Sequence, residues 1–406
     1  MSSGPQFLFT MLVLFVPGPL ARATPTGRNC LGGRNVRQFG QSFPPGAMMP
    51  KPRARDLGIT FEGTPGPHNA ITDVAGTEVG YTTLIDALDV RTGVTILHPR
   101  GRNNHDPVFA GWHALNGNGE LTGAAWIEEG GFVEGPIGLT NTHSVGTVRD
   151  AIIAWEVQQG ALAQRWSMPV VSETADGWLN DMNAFHVKPG HAWAALNEAR
   201  RGPCAEGNVG GGTGMVCFGF KGGTGTASRL LPQAAGGYTL GVLVQANFGR
   251  RADLMISGVP VGKHLLDYAP FAPHQPHDGQ GSLVVLIATD APLLPHQLKR
   301  LARRGPLGMA RTGGLASNFS GDLFLAFSTA NPGAAGPEPI ASLTAMVNEA
   351  MDPLLSATAY AVEEAIINAL VAAETMTGRN GLTAAAMPHD EVKDILRRYN
   401  RIEDRA

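Results

Sequence analysis

Apolar positions along the chain follow two habits. Val79–Ile85 and Gly93–His98 alternate or run apolar with β-branched residues, which predicts strands. Tyr238–Gln245 (YTLGVLVQ), Ser282–Thr289 (SLVVLIAT) and Asp322–Ser328 (DLFLAFS) are short continuous apolar runs, the pattern of buried strands. Val148–Gln159 instead places Val148, Ile152 and Trp155 at helical spacing, so one greasy helix face is expected. Leu294–Arg304 reads as helical. Ala341–Val371 reads as two amphipathic helices divided at Asp352-Pro353, and His389–Asn400 as a closing helix. No internal repeat is present. Buried strands alternating with long helices imply a layered α/β architecture.

The N-terminal end is different. Residues 6–21 form an apolar run broken by Pro17 and Pro19, with an uninterrupted part too short to span a bilayer. Ala21-Arg22-Ala23 follows as a small-x-small site, so a signal peptide over 1–23 is expected. Its first residues lack Lys and Arg, and an unprocessed apolar leader is the alternative. Export to the periplasm or medium is the matching expectation, with the cytoplasm as the other. Residues 24–55 are rich in Gly, Pro and Arg without periodicity, which predicts an irregular arm. Order is expected to begin near Leu57, with 56–406 a single domain.

Composition narrows the partners. The 31 basic and 34 acidic residues give a net charge of −3, with no basic stripe, which argues against nucleic acid. The Lys299-Arg300 and Arg303-Arg304 cluster reads as a solvated helix face. No later stretch is long and apolar enough for a membrane span, so no membrane partner is expected. Cys30, Cys204 and Cys217 are too few for a disulfide framework, although one bridge stays open. No His, Cys or carboxylate cluster has metal-ligand spacing, so neither a metal nor another cofactor is expected. The glycine runs Gly210–Gly214 and Gly222–Gly225 read as turn-rich. They lack the Lys-Ser/Thr of a phosphate loop, and GxGxxG spacing is missing too.

The candidate chemistry lies at Asp278–Val285 (DGQGSLVV), where a turn-rich loop with His274 and His277 ends in Gly-Ser and an apolar strand starts at the serine. A serine hydroxyl in such a place can attack the preceding carbonyl. Glycine at 281 has no Cβ to hinder that attack and tolerates a strained backbone. Hydrolysis of the resulting ester leaves Ser282 with a free α-amine, whose unperturbed pKa of about 7.7–8.0 suits a base near neutral pH. Alone, however, a Gly-Ser before a strand is usually only a turn.

Longer motifs add to this. Trp126-Ile127-Glu128-Glu129, Thr140–Gly146 (TNTHSVG), Pro169–Thr174 (PVVSET), Leu179-Asn180-Asp181, Glu206–Met215 (EGNVGGGTGM), Val244–Gly249 (VQANFG), Ala288–Leu293 (ATDAPL) and Ser320-Gly321-Asp322 before Ala326–Thr329 occur in that order. In these the chain, from about Leu57 to Glu374, resembles the family of L-aminopeptidase/D-esterases (DmpA type) and β-peptidyl aminopeptidases. The resemblance implies a four-layer αββα sandwich, like N-terminal nucleophile hydrolases in layering but with different connectivity. It implies a self-cleaving serine aminopeptidase acting on short peptides, amides or esters with a free amino terminus, assembled as a tetramer of cleaved αβ heterodimers.

Residue by residue, the resemblance makes Ser282 the nucleophile, freed by cleavage after Gly281. Ser320 becomes the second serine that relays or orients the proton. Asp322 stands at the position of its acidic partner, where better-known members carry the longer glutamate. Asn247 becomes the side-chain donor to the oxyanion, and Glu173 the carboxylate that grips the substrate ammonium. Ala175 departs from the pattern, since members commonly carry an aromatic residue there. Trp166 and Trp178 are candidates for pocket walls or for core aromatics, and His143 is expected to make a structural hydrogen bond. Two other readings stay open: a self-cleaving acyltransferase of the ornithine acetyltransferase type, and a non-catalytic secreted homologue.

Overall fold

The run Ser282–Thr289 shows how the layers arise. In a strand, successive side chains point to opposite faces. Leu283, Val285 and Ile287 enter one apolar cluster and Val284, Leu286 and Ala288 another, so the strand is greasy on both sides because both sides are covered. The computed structural model describes residues 51–268 and 281–402, and these described residues belong to one compact unit.

In chain order the elements are β1 (Glu78–Asp86), β2 (Val90–His98), β3 (Val108–Gly117), α1 (Ala124–Gly130), β4 (Phe132–Val133), β5 (Ile137–Asn141), α2 (Val145–Gln159), β6 (Val170–Thr174) and α3 (Pro189–Glu198). A short hairpin of β7 (Val216–Cys217) and β8 (Phe220–Lys221) precedes β9 (Gly223–Leu230), β10 (Thr239–Asn247) and β11 (Ser282–Thr289). Then come α4 (Pro295–Ala302), α5 (Gly305–Arg311), β12 (Gly321–Ser328), α6 (Asp352–Val371), β13 (Met376–Thr377), β14 (Thr383–Ala384) and α7 (His389–Arg398).

One sheet has the order β4-β3-β12-β11-β10-β9 and the other β1-β2-β5-β6. In the larger sheet β11 and β12 run parallel, while their outer neighbours β10 and β3 pair antiparallel. Leu97, Ile137 and Leu139 of the smaller sheet meet Leu243, Val284, Leu286 and Phe327 of the larger one. Outside the larger sheet, α4 and α6 lie on β3, β12, β9 and β10. Outside the smaller sheet, Val148, Ile152 and Trp155 of α2 and Leu196 of α3 close on Val94, Ile96 and Val171. Three apolar clusters between four layers give the αββα sandwich.

Four sequence readings change. The residues 341–371 hold one α-helix, α6, preceded by a single 3-10 turn at Asn348–Ala350; α6 begins at Asp352-Pro353 because proline fits the first helical turn. Residues 341–347 have no regular structure, and Ile340 and Val347 are 85% and 65% exposed. Gly223–Leu230, read as partly turn, is a strand. Its small residues let α6 approach so closely that a Cβ at Gly225 would lie 2.0 Å from the Ala365 carbonyl. The α6 helix is long and apolar enough to cross a membrane, but most of it is buried inside the fold.

The ordered body also starts before Leu57. Ala54 is buried, its N–H donating to Asn368 Oδ1 (3.0 Å). Arg53 pairs with Glu206 and Arg55 with Glu364, each at 2.7 Å. Cys204 and Cys217 are free thiols. The expected leader, the arm up to residue 50, Cys30, His274 and His277 lie outside the described residues.

Candidate active site

Strand register brings the first two candidates together. Asn247 ends β10 and Ser282 starts β11, and the antiparallel ladder sets them directly opposite each other. Strand β12 runs beside β11 with Asp322 opposite Leu283. The Gly321 N–H therefore donates to Ser282 Oγ (3.1 Å), and the Leu283 N–H to Asp322 Oδ1 (3.1 Å). Ser282 is 5% exposed, so its hydroxyl is held by backbone at the head of a rigid strand rather than on a loose loop.

Gly281 has φ +150°, and a Cβ there would sit 1.9 Å from the Asn247 carbonyl oxygen. The register that aligns Asn247 with Ser282 thus leaves no room for a side chain at 281.

The Asn247 amide is fixed at both ends. Its Oδ1 accepts from the Val216 N–H (2.9 Å), and its Nδ2 donates to the Ala175 carbonyl (2.9 Å). These partners settle which end is nitrogen. Nδ2 has two hydrogens, and the second finds no acceptor among the described residues.

Glu173 comes from the other sheet, on β6. It is 3% exposed, accepts from the Glu120 N–H (3.1 Å) at Oε1 and from the Thr142 hydroxyl at Oε2. Burial pushes its carboxyl above the usual range, and Glu120 adds to this. The Thr142 hydroxyl, the Glu120 amide and His143 oppose it. Among the described residues no Lys or Arg forms an ion pair with it.

Ser282, Asn247 and Glu173 line one cleft of about 580 Å³, with Thr142, Ala175, Trp178, Met182 and Phe319 also in its wall. That volume suits a small ligand. A buried carboxylate without a cation, a serine and an amide donor facing one space can bind an amine and stabilise charge on an acyl oxygen.

Ser320 and Asp322 sit behind Ser282, both buried. Burial pushes the Asp322 carboxyl up to about 6, against the Ser320 hydroxyl, the Leu283 amide and Asn116. The described contact to the Ser282 hydroxyl comes from Gly321, between the two, rather than from Ser320 itself. Trp178 lines the cleft whereas Trp166 is exposed elsewhere. The His143 ring stacks on Phe185 at 5.8 Å, a ring contact where a hydrogen bond was expected. Sequence reasoning passed over Thr142, Gly321, Phe319 and the backbone of Ala175 and Val216. Thr142 and Gly321 lie inside motifs already singled out, but their roles depend on backbone geometry that sequence does not display.

Comparison with known proteins places the chain in a family. Residues 69–384 match peptidase family S58. Over 376 residues the chain is 51% identical to beta-peptidyl aminopeptidase BapA of Sphingosinicella microcystinivorans, covering 86% of this chain and 93% of that protein. The solved L-aminopeptidase D-Ala-esterase/amidase of Ochrobactrum anthropi superposes with a TM-score of 0.81 at 45% identity, over 87% of this chain and all of that one. A Burkholderia sp. beta-aminopeptidase superposes with a TM-score of 0.78 at 48% identity, again over 87% of this chain and 100% of its own. The chain belongs to peptidase family S58 and is a serine aminopeptidase built on a variant of the N-terminal nucleophile hydrolase fold.

Proposed function

We propose that the chain cuts itself between Gly281 and Ser282 and then releases N-terminal residues, β-amino acids among them, from short peptides and amides. The observation that carries the reading is the pairing of Ser282 with Asn247 across one ladder, in a cleft also lined by the carboxylate of Glu173, which has no ion-pair partner among the described residues. In self-cleavage Ser282 Oγ attacks the Gly281 carbonyl and the Gly281–Ser282 C–N bond breaks, giving an ester. Water then hydrolyses the ester and leaves Ser282 with a free α-amine. That amine, near pKa 7.7–8.0 when unperturbed, takes the hydroxyl proton in each later turnover.

The substrate ammonium pairs with Glu173, and Ser282 Oγ attacks the first carbonyl. The free hydrogen on Asn247 Nδ2 meets the developing oxyanion. Ser320 and Asp322 hold the proton network behind the nucleophile. Ala175 supports the β-amino acid reading, since a methyl side chain leaves the cleft wall open beside Asn247. Ile340 and Val347, apolar and exposed on an irregular segment, support assembly with further copies of the chain.

N-terminal sequencing tests the core of this reading. A fragment of about 13 kDa should begin Ser-Leu-Val-Val, and Ser282→Ala should remain one inactive chain. Any other start removes the nucleophile assignment. Rates on L-, D- and β-aminoacyl anilides then separate the substrate classes.

A further inference from the structure

Lys221 is fully buried and no described carboxylate pairs with it. Its Nζ donates to three backbone carbonyls: Gly222 (2.8 Å), Met215 (2.9 Å) and Gly212 (3.4 Å). Burial draws its pKa down to about 7, with Lys51 in the same sense and Cys217 against; three carbonyl oxygens at hydrogen-bond distance are the contacts that favour its charged form. A charge placed in the interior without a counter-ion is costly, and a methionine of similar length would fill the space without one.

What the ammonium touches suggests its use. The Met215 carbonyl belongs to the same peptide unit as the Val216 N–H, and that N–H donates to Asn247 Oδ1 (2.9 Å). Asn247 in turn stands opposite Ser282. A cation on the carbonyl end of a peptide makes its N–H a stronger donor, and an amide that accepts a strong hydrogen bond at oxygen donates more strongly from nitrogen. We propose that Lys221 is a positioning residue for the oxyanion site, holding and polarising the Asn247 amide through the Met215–Val216 peptide. The inference rests on the oxyanion role given to Asn247 above. It also gives the glycine run a purpose: Gly212 and Met215 bracket a turn that wraps the ammonium, and a Cβ at Gly212 would lie 2.3 Å from the Thr224 nitrogen.

The effect can be sized. One oxyanion donor supplies about 10²–10³ in kcat. Strengthening it by about 30% through its chain of hydrogen bonds corresponds to roughly four- to eightfold.

A double-mutant cycle tests the proposal, read as kcat and KM on one aminoacyl anilide per cleaved active site. Lys221→Met and Lys221→Gln should each lower kcat roughly four- to eightfold with KM unchanged in the wild-type background. In the Asn247→Ala background the same changes should alter kcat less than about twofold, because the amide they act through is gone. Equal loss in both backgrounds, or a rise in KM alone, overturns the proposal. Failure of both variants to give folded, cleaved protein assigns the lysine to folding or processing and overturns it as well. If Asn247→Ala alone leaves kcat unchanged, it is the oxyanion reading that falls first, and the proposal with it.

Discussion

Glu173→Gln separates binding of the substrate amine from every other role of the cleft. The wild-type carboxylate is 3% exposed, takes one backbone and one hydroxyl hydrogen bond, and has no described cation. In the proposed reaction the substrate ammonium completes the pair. Removing one member of a buried, hydrogen-bonded charge pair costs about 2–5 kcal/mol, or roughly 30- to 5,000-fold in kcat/KM. The cleft opens to solvent, which places the expected loss near the lower part of that range, about 10²-fold.

N-acetylation of the substrate should produce a similar loss in the wild type and little further loss in the mutant. The pH sign follows from the direction of the shift. Burial raises the Glu173 carboxyl pKa, so KM for a free amine should rise as pH falls through that raised value. The same shift means that the ionised side chain opposes folding. Its folded pKa exceeds its unfolded one, so stability is lost as pH climbs between the two. At neutral pH Glu173→Gln should therefore melt at the same temperature as wild type or higher, and it should still cleave itself. The assay is kcat/KM for one anilide with and without the acetyl group, in both proteins, with melting curves alongside. Equal wild-type rates on the two substrates, or a mutant that melts well below wild type, would refute the reasoning.

Other expectations follow from the same geometry. Under the proposed oxyanion role of its free Nδ2 hydrogen, Asn247→Ala should lower kcat about 10²-fold or more with KM little changed; a rise in KM alone would make it a ground-state contact. Gly281→Ala puts a Cβ 1.9 Å from the Asn247 carbonyl, so an uncut band near 42.6 kDa should persist on a denaturing gel. Glu364→Gln should destabilise the fold by about 3–5 kcal/mol in denaturant titration, since Arg229 and Arg55 lose a buried partner. Those arginines hold the Glu364 carboxyl below its ordinary range, so its contribution is full above that range and fades as pH falls through the lowered value.

The parts of this fold legible in the sequence were those whose periodicity is imposed by cover on both faces. SLVVLIAT and DLFLAFS announce buried strands because each side chain has an apolar layer to meet. The start of GTGTASRL was read as turn since its burial comes from small residues under a close helix, where little hydrophobicity is required. Asp352-Pro353 was read as a break between helices, though a proline there equally starts one. Ser282, Asn247 and Glu173, which the fold brings to one cleft, lie in motifs that could be singled out along the chain. Gly321 and Val216 make their contacts through backbone N–H groups, whose partners depend on register and not on residue type.

The strand order of the larger sheet has a consequence for the cleavage proposed above. Once the chain is cut before Ser282, β12 and β11 belong to one piece and lie between β3 and β10 of the other. Neither piece can leave without opening two ladders at once and stripping α6 from β9. The severed molecule is thus a wedge held in a split plank, secure while folded. Once it has melted, however, the two pieces must find each other by diffusion, and the connection of residues 248–281 that first tethered β11 to β10 is severed. Refolding of cut protein should depend on concentration, while the uncut Ser282→Ala chain refolds as a single molecule. The longevity of the active enzyme is then governed by its rate of opening rather than by an equilibrium it can revisit.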